Sequence, residues 1–157
     1  MTQTFIEWCQ GLAISQAYRE SLWLFAVTQA LHLVAIAVFV GAILIVDLRM
    51  LGLGVVRQSR AAVARNAQRV LLWAGLAVLV TGIPQFTANA ASYSRSPMFV
   101  FKMWLLVAAL VYTATLRRRV ALADEGRLPS WLPRVVGAAS IALWMGVTVS
   151  GRLITYY

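Results

Sequence analysis

Between Leu22 and Val46 the chain reads LWLFAVTQALHLVAIAVFVGAILIV, twenty-five residues without a formal charge. A helix rises about 1.5 Å per residue, so this run exceeds the roughly 30 Å hydrocarbon core of a bilayer and predicts a tilted transmembrane helix. Within it lies His32, the only histidine of the protein, about 15 Å from one end of the span. An imidazole at that depth is costly unless something engages it, which makes it the first functional candidate. Thr28, Gln29, His32, Ala35, Phe39 and Ile43 recur at steps of one, three or four. They therefore share a helical face, expected to look into protein and away from lipid.

The rest of the chain supports an integral membrane protein. It is 61% hydrophobic and 12% charged over 157 residues, against about a quarter charged in soluble domains. A net charge of +9 raises nucleic acid as a partner, but the arginines cluster beside apolar runs and no aromatic-basic binding motif accompanies them. The lipid bilayer is the partner this pattern implies. A single cysteine, Cys9, excludes an intramolecular disulfide, and without C-x-x-C-H a covalently attached haem has no support.

Taken in order, residues 1–20 place Phe5, Trp8, Cys9, Leu12 and Ala13 on one face and predict an interfacial amphipathic helix. Spans are expected over 22–46, 70–88, 98–116 and 135–154. Pro84 is expected to kink or end the second, Pro97 to open the third, and Arg117–Arg119 to stop it. Small residues Gly41, Gly75, Gly82, Gly137 and Gly146 are expected to allow close helix approach. Arginine and lysine number ten in the two loops on one side and four on the other. This asymmetry predicts a cytoplasmic arginine-rich side with both termini away from the cytoplasm. The fold class is all-α: one membrane domain over 1–157, an up-down-up-down four-helix bundle preceded by the interfacial helix.

Candidate site residues follow from what is polar inside the spans. Lys102 and Arg152 each lie about one turn inside a helix at the end opposite the arginine clusters. Ile141, Met145, Thr148 and Arg152 form a stripe on the fourth span, with Met145 near the depth of His32. Such a set suits an amphipathic, anionic cofactor. Haem b fits, with His32 on the metal, its propionates at Lys102 and Arg152, and Met145 as a second axial ligand. Plainer roles stand beside these: a neutral His32 bonded to Gln29 or another span, snorkelling cations, and Met145 as apolar filler. Asp47 has two readings, a partner for Arg49 or the Arg117–Arg119 cluster, or a proton relay. No Ser/His/Asp set, paired carboxylates, phosphate-cradling loop or zinc spacing occurs, so any catalysis rests on a cofactor or on His32.

Gly41-x5-Asp47-Leu48-Arg49-x-Leu51-Gly52, Trp73-Ala74-Gly75, Thr81-Gly82, Phe101-Lys102-Met103 and Gly151-Arg152-Leu153-Ile154-x-Tyr156 resemble an uncharacterised family of small bacterial four-span proteins. That likeness implies the four-span architecture in a bacterial inner membrane and brings no assigned activity. Leu31–Gly41 is similar to the histidine-bearing helix of CopD-type copper-resistance membrane proteins. Together with Phe101–Leu106 it also resembles HemJ-type protoporphyrinogen oxidases, which implies haem linked to His32 and Lys102. The expected function is accordingly haem b or porphyrin binding with a redox or porphyrin-related role. One alternative is a small transport or accessory subunit, copper-linked and without haem, in which His32, Met145 and Asp47 serve ion passage or assembly; another is a purely structural partner, and a homo-oligomer or a larger membrane complex is the expected assembly.

Overall fold

The computed structural model describes residues 3–54, 57–124 and 126–153, except the side chains of Arg152 and Leu153. Every regular element among them is helical: α1 (Gln3–Gly11), α2 (Ala13–Glu20), α3 (Leu22–Met50), α4 (Arg60–Ala88), α5 (Ala90–Arg95), α6 (Pro97–Tyr112), a π-helical turn (Thr113–Arg117), α7 (Arg118–Leu122) and α8 (Trp131–Leu153). Among the described residues four stretches are long and apolar enough to cross a membrane: Leu22–Met50, Arg60–Ala88, Pro97–Leu122 and Trp131–Gly151. The chain is a multi-pass membrane protein.

Local chemistry sets where these helices begin and end. Ser21, Ser59 and Ser96 cap α3, α4 and α6, each accepting a backbone N–H two or three residues into the helix, and Pro97 occupies the first turn of α6, where its missing N–H costs nothing. At the end of α3, Leu53 donates to the Leu48 carbonyl and Gly52 to that of Arg49. Gly52 has φ +83°, the left-handed residue that this paired closure requires.

All four helices reach further toward the arginine-rich end than the apolar runs suggest, α3 by continuing from Val46 to Met50. α4 starts at Arg60 rather than near 70, because the intervening residues are mostly good helix formers with no breaker among them. The third span passes through Arg117 instead of stopping at Leu116, by way of the π turn. α8 starts at Trp131; Ile154, at the end of the expected fourth span, lies outside the described residues. Pro84 sits inside α4, which continues to Ala88.

The N-terminal segment departs from the expected single helix. Leu12 is extended (φ −63°, ψ 137°) and separates α1 from α2, and Ser15 Oγ bridges the break by donating to the Cys9 carbonyl at 2.7 Å. The buried side is Cys9, Ser15 and Tyr18, whereas Trp8 is 62% exposed. The expected face therefore splits, with Cys9 turned into the protein and Trp8 and Phe5 out. α1 and α2 fold back on α4.

α3 lies between α4 and α8, and α6 packs chiefly on α8. One apolar cluster fills the arginine-rich end, with Val46, Met50, Val63, Val120, Ala121 and Val136 at its core. A second fills the middle around Ile43, Ala109, Trp144 and Val147. There Phe39 meets Trp144 edge-on at 5.1 Å, and the indole N–H donates to Thr113 Oγ1 at 3.0 Å. Near the opposite end, Phe86, Tyr93 and Phe99 stack with ring centroids 5.1–6.3 Å apart. This stack fixes the turn from α4 through α5 into α6, and it sets the first turn of α6 just ahead of Lys102. Close approach uses four of the five glycines named above. A Cβ on Gly137 would meet the Asp47 carbonyl oxygen at 3.0 Å, on Gly146 Leu105 at 3.1 Å, on Gly75 Phe39 at 3.3 Å and on Gly82 His32 at 2.9 Å. Gly41 meets nothing within 4 Å.

Candidate functional site

Away from the two apolar clusters, the half of the bundle that holds the N-terminal helices has a polar interior, and His32 is at its centre. The expected face of α3 does turn inward, with Thr28, Ala35 and Ile43 buried. From it the His32 ring reaches α4, where Nδ1 lies 2.7 Å from Thr81 Oγ1. Thr81 Oγ1 is itself 2.6 Å from the Ala77 carbonyl oxygen, and a carbonyl can only accept. The single hydroxyl hydrogen therefore goes to Ala77, and the threonine oxygen accepts from His32 Nδ1–H. The Val78 backbone is a further hydrogen-bond partner of the ring, and with Nδ1 as the donor the neutral tautomer carries its lone pair on Nε2.

Gly82 makes this geometry possible. Its absent side chain leaves room for Cε1, which would stand 2.9 Å from a Cβ there. The neighbouring polar groups extend the arrangement. Gln85 Nε2 donates to the Thr81 carbonyl at 2.9 Å and points to that of Thr28 at 3.4 Å. Thr28 Oγ1 accepts from Tyr18 O–H at 2.8 Å and donates to the Leu24 carbonyl at 2.9 Å. One connected set thus runs from α2 across α3 to α4, and His32 is hydrogen-bonded to another span rather than to Gln29.

Lys102 stands near the start of α6. Its aliphatic stem lies over Gly151 of α8, where a Cβ would meet Nζ at 3.2 Å and Cε at 3.3 Å. His32 and Lys102 thus share one half of the bundle on facing helix pairs. Met145 does not join them. It is 53% exposed, because the inward stripe of α8 is Val136, Ser140, Trp144 and Val147, one residue out of step with the expected Ile141, Met145, Thr148 and Arg152. Arg152 is in the last turn of α8, and its side chain lies outside the described residues. Among the described residues no group of three or more histidine, cysteine, aspartate or glutamate side chains converges.

A second polar centre occupies the arginine-rich half. Arg117 Nε donates to Asp47 Oδ1 at 2.5 Å, and its Nη2 to the Ile43 carbonyl at 2.9 Å. The side chains are 4% and 0% exposed. Asp47 Oδ2 and the Ser140 hydroxyl, which is near it, are both buried without a hydrogen bond of ordinary geometry. Of the two readings of Asp47, the ion pair is the one with contacts behind it, and its partner comes from the Arg117–Arg119 run. The π turn inserts an extra residue per turn, which rotates Arg117 inward while Arg118 and Arg119 stay exposed.

Tyr18, Thr81, Gln85 and Ser140 are neighbours that residue-type reasoning passes over, while it picks out Gly82 only as a small residue and Arg117 only as one of three clustered arginines. Only Thr81-Gly82, adjacent polar and small residues within an apolar span, carried a visible signal. A family model matches residues 5–157, almost the entire chain. The chain belongs to DUF6644, a family of unknown function. No curated protein and no solved structure matches this DUF6644 chain, so its chemistry has to be argued from the residues above.

Proposed function

We propose that the protein binds one b-type haem or a related porphyrin, with His32 as axial ligand and Lys102 as partner of a propionate. The observation that carries this is the orientation of His32. A ligating histidine usually gives its other ring N–H to a fixed acceptor, which sets the tautomer and aims the lone pair, and Thr81 supplies that acceptor. Met145 is turned outward, so of the two expected ligands His32 alone would hold the metal. Arg152 remains a second candidate for a carboxylate by its place on α8. A bound haem would supply one-electron redox chemistry. The chain's own groups would hold the imidazole neutral and oriented, and Lys102 would offset the charge of the carboxylate.

Titration of the detergent-purified protein with haemin should give a saturable Soret band and, after dithionite, a sharpened α band. His32→Ala should abolish both, and Lys102→Gln should weaken binding roughly tenfold, as for loss of one charge-assisted contact. A spectrum no different from haemin in empty micelles, or one unchanged by His32→Ala, sinks the assignment.

The ten-to-four asymmetry of arginine and lysine supports a bacterial inner-membrane orientation with the arginine-rich end cytoplasmic and this site in the outer half. Alkaline phosphatase fused after Tyr157 should then be active; an inactive phosphatase fusion with a fluorescent cytoplasmic reporter at the same point would reverse the orientation.

A further inference from the structure

On the other side of the α3–α4 seam from the His32 ring lies a groove of about 610 Å³. Leu31, Val34, Ala35 and Val38 form one wall; Arg69, Val70, Trp73, Ala74, Ala77 and Thr81 form the other. Its lining is apolar except at the ends, where Arg69 stands at one mouth and Thr81 at the other. Along α4, Arg69, Trp73, Ala77 and Thr81 follow at four-residue steps, a track of about 18 Å.

The geometry points to a bound anionic phospholipid, its phosphate on Arg69 and an acyl chain along the groove toward Thr81. Three observations select this occupant. First, Arg69 is exposed, and among the described residues no ion pair or hydrogen bond engages it. Among the described acids, Asp47 pairs with Arg117 and Asp124 with Arg127, while Glu7 and Glu20 belong to α1 and α2 at the opposite end. Second, depth fixes the kind of anion. α4 has 29 residues, about 43 Å of helix, so roughly its first two or three turns stand outside a 30 Å hydrocarbon core. Arg69 then sits at headgroup level with Trp73 one turn deeper, the order expected at a membrane interface. Third, what lies beyond Arg69 is an apolar trough rather than a flat wall, because Ala35, Ala74 and Ala77 put small side chains at its floor. A soluble anion would leave that trough uncovered, whereas a lipid fills it.

Trp73 is 72% exposed and lines the groove, so it reports occupancy directly. Nanodiscs of phosphatidylcholine carrying a minor fraction of dibrominated lipid, either phosphatidylglycerol or phosphatidylcholine, would be compared by fluorescence. The Trp73 contribution is taken as the difference between the native protein and Trp73→Phe. Brominated phosphatidylglycerol should quench it with an apparent affinity roughly fivefold above that of brominated phosphatidylcholine, the effect of one interfacial arginine. Arg69→Gln, a surface change, should erase the preference and leave ordinary quenching by bulk lipid. Equal quenching by both lipids overturns the proposal, as does a preference that survives Arg69→Gln. A Trp73 shielded from both lipids, with Val34→Cys cross-linking between two copies, assigns the groove to a second copy of the chain and overturns it too. None of these outcomes depends on haem, so the lipid site and the His32 site stand or fall separately.

Discussion

Asp47→Ala should cost about 3–5 kcal/mol of folding stability, the range seen when one partner of a buried ion pair is removed. The cost comes from what is left behind. Arg117 would keep its bond to the Ile43 carbonyl but lose the carboxylate that neutralises it at a site where both side chains are almost fully enclosed. Water cannot rescue the guanidinium there without opening the α3–α8 contact. Arg117→Ala should cost a similar amount, since it adds a lost Arg117 Nε bond to a carboxylate whose other oxygen already has no ordinary partner. The double variant Asp47→Leu with Arg117→Met removes both charges and keeps much of the volume, so it should recover most of the loss. Arg127 and Asp124 serve as the control. Their pair is exposed, and breaking it should leave stability within experimental error. Reversible unfolding in mixed micelles titrated with dodecyl sulfate measures all four. Single variants within about 1 kcal/mol of the parent would show that Asp47 and Arg117 do not tie the helices together, and the proton-relay reading of Asp47 would regain its place.

The pairing itself was only half legible in the residues. Asp47 beside a basic run announced some arginine partner, but the spacing of Arg117, Arg118 and Arg119 does not say which one turns inward. The π turn decides that, and a five-residue turn leaves no periodic trace in an apolar helix. The stripe on α3 was readable because Thr28, Gln29 and His32 are polar against an otherwise apolar background. On α8 nearly every position is apolar or small, so two faces one residue apart fit the same pattern. Trp144, which fills the middle of the bundle, and Met145, which faces outward, could not be told apart by type. Gly137, Ser140 and Gly151 mark the correct face through size alone. The helix ends were blurred for a related reason. Arginine is a good helix former, so a basic segment shows where the hydrocarbon stops and not where the helix does. Gly41 shows the converse error: a glycine in a span is permission for close approach, and no helix takes it up there.

Gly82→Val should displace the His32 ring and, with it, whatever the ring does. Even the first carbon of the new side chain would stand 2.9 Å from Cε1, closer than carbon atoms in contact approach one another, and the branching methyls add bulk on either side. Two responses are open: α3 and α4 separate, or the imidazole rotates off Thr81. The ring is the softer of the two, because one side-chain torsion relieves the clash while helix separation would undo packing along the whole seam. The 2.7 Å Nδ1–H to Thr81 bond should therefore be lost, with overpacking costing about 1–3 kcal/mol. Because the protein has one histidine, ¹⁵N-histidine labelling gives a single imidazole to follow. In the native protein its protonated nitrogen should be Nδ1, and in Gly82→Val that tautomer signature should vanish. Thr81→Val, which removes the hydroxyl acceptor while keeping the shape and leaves the Val78 backbone as the remaining partner, should weaken the same signature without crowding the ring. Gly75→Ala is the matched control on the same helix, since its Cβ would meet the Phe39 ring at 3.3 Å and needs only a small adjustment. A native-like Nδ1–H signal in both Gly82→Val and Thr81→Val would mean that neither residue orients the imidazole, and the argument for an aimed Nε2 lone pair would go with it.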